Sequence, residues 1–235
     1  MAEQAFVWTE ENDVLILTMQ AEGNNLMTGA FLDGFADAMA EAEQKVSEKN
    51  YRGMIIRSGG RHFSVGADVD ALTERSAAEL PEWKTSGEIP AGHLAQKHCF
   101  TILHDFPFPV VSVVTGFCIG SGSEIAANSM FRIVEQRARV GQPEATFGIL
   151  PALGGIACSI AHCGIQNAAE IVIGGELFDA DKALSVGWAN EVVGKKQGFD
   201  RAMQLIQYIN AENLTCTAEN AAEIYRKFIK SEATA

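Results

Sequence analysis

Basic residues are scarce in this chain of 235 residues: 18 lysines and arginines face 30 aspartates and glutamates, a net charge of −12. That balance excludes a general affinity for nucleic acid or for an anionic membrane, and an anionic ligand would need a local basic patch. Paired cysteines are missing as well. The five present (Cys99, Cys118, Cys158, Cys163, Cys216) are odd in number and show no CxxC spacing, so they read as reduced core thiols of a cytoplasmic protein. The longest uncharged stretch, Ala145 to Ala169, is broken by Pro151, His162 and several glycines, which makes it packed interior rather than a membrane span. The opening MAEQAFVWTEEND has neither the basic start nor the apolar stretch of a secretory leader. His62, His93, His98, His104 and His162 form no ligand pattern with nearby carboxylates or cysteines, so no metal is expected, and His162 reads as a hydrogen-bonded core residue. No repeat and no linker rich in Pro, Gly or Ser divides the chain. With 47% apolar residues, the expectation is one core domain, 1–195, followed by a helical segment, 196–235.

What is present is organised around Pro109 to Met130, PVVSVVTGFCIGSGSEIAANSM. Pro109 to Thr115 is a β-branched run that suits a buried strand; Gly116, Gly120 and Gly122 break it, and good helix formers follow from Glu124. A strand running through a glycine turn into a helix presents unpaired backbone N–H groups at the positive end of a helix dipole, which makes an anion or oxyanion site. Ile125 stands where a dinucleotide fingerprint needs its third glycine. Neither Ser121 nor Ser123 has the flanking glycines of a serine-hydrolase elbow, and there is no phosphate-loop lysine. Gly59 to Leu72 is a second such turn, with Asp68 in the first turn of a short helix. Arg139 to Ala145 is a third, with Glu144 expected to be exposed after Pro143.

Around these turns, strands are expected over Ala5–Thr9, Val14–Met19, Gly53–Ser58, Phe131–Glu135 and the segment after Gly187. Helical spacing runs from a Thr28 cap through Phe31, Phe35, Met39, Ala42 and Val46, and recurs at Leu94, His98 and Ile102. Further helices are expected at Gly154–Cys163, Gln166–Ile173, after the Asp179 cap, at Phe199–Ile209 and at Ala218–Ile229; Thr73–Gly92 reads as broken helix or loop.

The motifs FSVGAD (Phe63 to Asp68), GFCIGSGSE (Gly116 to Glu124), GQPE (Gly141 to Glu144), PALGG (Pro151 to Gly155) and DADKALSVGWANEVV (Asp179 to Val193) together resemble the crotonase superfamily, the enoyl-CoA hydratase/isomerase family, in order and spacing. The resemblance implies an α/β spiral fold of repeated ββα turns with a helical C-terminal tail, here shorter than in typical relatives, and assembly as a homotrimer or homohexamer. It implies an acyl-CoA thioester substrate and no other cofactor, with the thioester oxygen held by the backbone N–H groups of Ala67 and Ser121. Glu124 and Glu144 match the two carboxylates of members that add or remove water, which is general acid/base work. Gly66, Asp68, Gly120, Gly122 and Arg61 are assigned to substrate binding. Arg57 and Arg61 are the candidates for the CoA phosphates, because Asp70 replaces a lysine common after the GAD motif. Trp83, Leu94 and Cys99 fall in the segment that lines the acyl pocket in relatives. The implied activity is enoyl-CoA hydration or its reverse; double-bond isomerisation, thioester hydrolysis and a catalytically silent or RNA-binding relative are the alternatives. The acidic charge opposes RNA, and the paired glutamates oppose silence.

Overall fold

The computed structural model describes residues 4–71, Glu74, Gly87 and 91–233. Strands β1 (Phe6–Glu11) and β2 (Val14–Met19) form an antiparallel hairpin across Asn12 and Asp13, whose φ values of 52° and 61° are those of a two-residue hairpin turn. β1 runs two residues beyond its expected end. After β3 (Leu26–Met27), helix α1 (Gly29–Glu48) starts where the spacing predicts, because Thr28 accepts a hydrogen bond from Phe31 N at 3.2 Å. The helix buries Phe31, Phe35, Met39 and Ala42 along one face.

The chain continues through β4 (Gly53–Ser58), β5 (Gly66–Ala67), α2 (Ala91–Thr101), β6 (Val110–Val114), β7 (Phe117–Ile119), α3 (Ser121–Asn128), β8 (Phe131–Glu135) and β9 (Arg139–Gly141). A 3-10 turn at Pro143–Phe147 precedes α4 (Gly155–Gly174), which is kinked at Gly164 into the two helices expected. β10 (Phe178–Asp179), α5 (Ala180–Ser185), β11 (Glu191–Val193), α6 (Gly198–Ala211) and α7 (Ala221–Glu232) complete it, with Asp179 capping α5 through Lys182 N at 2.9 Å.

Three expectations are corrected. The stretch after Gly116 is not a plain turn: Phe117–Ile119 is a strand, and α3 starts at Ser121, immediately after Gly120 turns the chain at φ 54°. Arg139–Gly141, also read as a turn, is β9. Asp68 stands before its short helix rather than inside it, accepting from Ala71 N at 3.2 Å. Most of Thr73–Gly92, including Trp83, lies outside the described residues.

The large sheet has the order β1-β2-β4-β6-β8-β11 and is parallel apart from the β1–β2 hairpin. A second layer pairs β9 with both β7 and β10, pairs β3 with β5, and is bridged between Ser64 and Cys118. Each turn of chain therefore places one strand in the large sheet (β4, β6, β8) and a short one in the second layer (β5, β7, β9) before moving on to a helix or 3-10 turn. Both faces of the large sheet are covered, which is why its strands are continuous apolar runs rather than alternating ones. Leu15, Leu17, Met54 and Ile56 point toward α1 and the second layer; Val14, Ile16, Ile55 and Val111 point toward Leu205 and Ile206 of α6 and Ile224 and Phe228 of α7. All five cysteines are free and buried.

One side chain fastens the second layer to the sheet. Gly23, Asn24 and Asn25 form a left-handed turn with φ of 64°, 63° and 59°. The buried Asn25 amide accepts from Ala21 N (2.8 Å) and shares its N–H groups among Met19 O (3.3 Å), Ser58 Oγ (3.0 Å) and Phe63 O (2.9 Å). Asn25 O takes a hydrogen bond from Ser64 Oγ at 2.7 Å, and Ser64 Oγ accepts from Gly66 N at 3.1 Å. Replacing Asn25 by Ala strands buried carbonyls and leaves a Cβ residue at positive φ without local bonds. The expected loss is about 3 kcal/mol in urea unfolding; a loss below about 1 kcal/mol would show that the amide is dispensable.

Candidate active site

The site grows from two places where the backbone runs unusually close to a neighbour. Gly66 has φ 85°, and a Cβ there would sit 2.8 Å from Ile119 O and 3.8 Å from Gly120 Cα. A Cβ on Gly122 would sit 2.5 Å from Ser64 Cβ. Only glycine fits at these approaches, and they bring β5, which carries Ala67, against the start of α3, which carries Ser121. Ser121 is the first residue of α3, so its N–H has no acceptor within that helix. It lies outside the left-handed region, so its side chain brings no backbone strain. The Ser121 Oγ is buried with no hydrogen-bond partner among the described residues.

Glu124, one turn into α3, is only 2% exposed. Its Oε1 accepts from Leu153 N at 2.7 Å and Gly155 N at 2.8 Å, amides of the PALGG loop leading into α4. Burial pushes its carboxyl up to about 8; the Gly155 and Leu153 bonds and Lys97 oppose the rise, and repulsion from Glu144 adds to it. Glu144 is half-buried rather than exposed, because the 3-10 turn after Pro143 folds back toward α3. A Cβ on Gly120 would lie 3.1 Å from Glu144 Oε1. Its Oε2 is buried with no hydrogen-bond partner among the described residues, and burial pushes this carboxyl up to about 7. Glu144 thus reaches Gly120 while Glu124 lies in the helix that begins there, and burial favours the protonated form of both carboxyls.

The other residues singled out in the sequence divide. Gly66, Gly120 and Gly122 form the close approaches, and Asp68 caps the turn after Ala67. Arg61 is exposed in the turn after β4. Arg57 is committed elsewhere: its Nε donates to Thr18 Oγ1 at 3.2 Å and its guanidinium stacks 4.8 Å over the Phe199 ring, which leaves it poorly suited to a phosphate. Of the acyl-pocket candidates, Leu94 is exposed and Cys99 is buried in the core. His162 is the core residue expected, bonded to Ala127 O at 2.8 Å, with burial pushing its pKa down to about 3.

Sequence reasoning missed Gln142, which is fully buried beside Glu124: a Cβ on Gly155 would lie 2.5 Å from Gln142 Nε2 and 2.9 Å from Glu124 Oε1. Both Gln142 side-chain polar atoms lack a partner among the described residues. Its place two residues before Glu144 in GQPE was the available signal.

The chain is 32% identical over 161 residues to the fatty acid oxidation complex subunit alpha of Pseudomonas putida, an alignment that covers 68% of this chain but only 22% of that protein. Its fold matches Pseudomonas aeruginosa DspI with a TM-score of 0.76 at 20% identity, covering 94% of this chain and 85% of that one. It also matches a putative enoyl-CoA hydratase from Thermobifida fusca, solved in complex with acetoacetyl-CoA, with a TM-score of 0.72 at 19% identity, covering 97% and 88%. The spiral of ββα turns is therefore the crotonase fold, and because the family model for enoyl-CoA hydratase/isomerase matches residues 9–234, the chain belongs to that family.

Proposed function

We propose that the chain is an enoyl-CoA hydratase, adding water across the 2,3 double bond of an enoyl thioester or removing it in reverse. The carrying observation is the pair of carboxyls, buried Glu124 and half-buried Glu144, both raised toward neutrality at the corner where β5 meets the start of α3. The thioester oxygen accepts the Ala67 and Ser121 N–H groups, which draw electron density from C3 toward the carbonyl and stabilise the enolate-like oxygen that develops. Water held between the glutamates gives a proton to the ionised one as its oxygen bonds to C3. The protonated one delivers a proton to C2. One proton enters the pair and one leaves it, so the pair's proton count is conserved, and transfer of the proton from one glutamate back to the other readies the site for the next turnover. Carboxyls near 7 and 8 support this division, since a pair with one proton is well populated at neutral pH.

Arg61 is the remaining basic residue proposed for the CoA phosphates. The acetoacetyl-CoA complex of the Thermobifida protein supports a CoA ester as substrate. The chemistry as written uses no further cofactor and no metal, and the buried free thiols support a reducing cytoplasmic setting. Assembly is proposed as a homotrimer or homohexamer. Phe147, Leu150, Ile165 and Ile173, on the 3-10 turn, the loop after it and α4, are more than half exposed, an apolar surface that further copies of the chain would cover.

Three measurements test this reading. In ¹⁸O-labelled water a trans-2-enoyl-CoA should yield a labelled 3-hydroxyacyl product. Glu124→Gln and Glu144→Gln should each slow the reaction by about 10² to 10⁴, and the double change by less than the product of the two. Absence of label, with a 3-enoyl ester converted to the 2-enoyl form, would establish an isomerase instead.

For the pH profile of kcat, the singly protonated pair predicts a bell. Below about pH 7 the base is protonated and the rate falls; above about pH 8 the acid loses its proton and the rate falls again. A flat profile from pH 6 to 9 would separate the rate from these carboxyls. Light scattering should give three or six times the chain mass of 25.3 kDa, and a stable monomer at micromolar concentration would overturn the assembly.

A further inference from the structure

We propose that Asn128, locked by His104, is a positioning residue for Glu124: it fixes the loop at Leu153–Gly155 whose amides hold the Glu124 carboxylate. The inference rests on the hydratase reading for its catalytic consequence but not for its geometry.

Asn128 lies one turn after Glu124 on α3 and is fully buried. Its Nδ2 donates to Glu124 O at 2.8 Å and to Leu153 O at 3.0 Å. Two carbonyl acceptors fix which end of the amide points that way, so Oδ1 faces His104 Nε2 at 3.0 Å and the Cys158 thiol at 3.5 Å. The amide thereby uses both its hydrogens and both its lone pairs. Oδ1 can only accept, so Nε2 of His104 carries a hydrogen; burial, which pushes the ring's pKa down, keeps it neutral in that tautomer. Gly154, at φ 113°, presses on the same amide: a Cβ there would lie 2.7 Å from Asn128 Nδ2.

Leu153 is therefore gripped at both ends, giving its carbonyl to Asn128 and its N–H to Glu124 Oε1. A shift of the loop that breaks one bond breaks the other. The same arrangement excludes a Cys158–His104 nucleophile pair, although Sγ and Nε2 are 3.6 Å apart, because the nitrogen facing the thiol already carries the hydrogen given to Asn128.

The Leu153 and Gly155 N–H bonds favour the ionised Glu124, so loosening them raises its pKa. The groups that face Glu124 are Glu144 from the 3-10 turn, Lys97 from α2 and Cys158 from α4; Arg132 of β8 faces Cys158 and His104. Asn128→Ala alters none of these charges.

The test reads the Glu124 carboxyl directly, by ¹³C NMR titration of the substrate-free protein with the resonance assigned through Glu124→Gln. Hydration kinetics are measured in parallel. Asn128→Ala should raise the Glu124 midpoint by about one pH unit and lower kcat roughly tenfold to hundredfold with KM changed less than about twofold. His104→Leu, which leaves Asn128 in place but removes the hydrogen given to Oδ1, should move the midpoint in the same direction, and His104→Gln, which restores a donor, should bring it back. An unmoved midpoint in folded Asn128→Ala overturns the proposal; if that variant does not fold, an unmoved midpoint in His104→Leu does. A moved midpoint in a protein that hydrates no enoyl-CoA would sink the functional reading and leave the positioning role. An unmoved one in an active hydratase would do the reverse.

Discussion

Stacking one turn of the spiral on the next requires backbone to meet backbone more closely than a Cβ allows, and the rest of the structure follows from that contact. At Gly66 and Gly122 the second-layer strand of one turn touches the strand-to-helix corner of the next, at separations where any side chain would collide with a carbonyl or a neighbouring Cβ. The large sheet could tolerate a looser arrangement, since its strands are joined by ordinary ladders. The corners could not, and because they cannot, β5 is held against the start of α3. In the hydratase reading, the Ala67 and Ser121 N–H groups that hold the thioester oxygen owe their placement to how the layers are packed.

Glu124 is set into the same corner against the grain of burial. Its carboxyl is held near 8 in the native chain against 4.5 in the unfolded one, so between those values the native state keeps a proton that the unfolded state releases. Stability from this group accordingly falls as pH rises through that interval and levels off above about 8. The Leu153 and Gly155 amides limit the cost without removing it. A buried acid that lowers stability at the pH where it would be used is ordinary for a catalytic group and unusual for a structural one.

The long elements were legible because each is long enough to show a period or a continuous apolar run: β2, β4, β6 and β8 as buried strands, and α1 with its Thr28 cap. The second layer was not. β5, β7, β9 and β10 are two or three residues long, shorter than any alternation can reveal, and they exist only because a neighbouring turn pairs with them. For that reason Phe117–Ile119 and Arg139–Gly141 looked like turns. Glu144 looked exposed because Pro-Glu after a strand resembles a surface corner, and only the return of the 3-10 turn onto Gly120 buries it. The two glutamates could be picked out through motif order. What holds Glu124 could not, since Leu153 and Gly155 act through backbone, and the His104–Asn128 contact joins residues 24 positions apart. The environment of Arg57 was hidden for a plainer reason: a guanidinium suits an aromatic face as well as a phosphate, and the Phe199 ring it stacks on comes from far along the chain.

Four of the ten buried side-chain polar atoms without a protein partner among the described residues belong to the segments that meet at Gly120. Ser121 Oγ, both polar atoms of the Gln142 side chain and Glu144 Oε2 lie around the Gly120 junction, each without a hydrogen-bond partner among the described residues. Each such group costs about 1–3 kcal/mol when nothing polar meets it, so together they favour an occupant that brings its own donors and acceptors. A water molecule brings both and a thioester carbonyl brings an acceptor, whereas a saturated chain of the same size brings neither. Discrimination of that kind is strong because the penalty for the wrong occupant falls on groups the protein has already desolvated. In the hydratase reading the thioester and water are thus selected at this junction, and the acyl chain has to be distinguished elsewhere, by apolar contacts whose individual preferences are smaller.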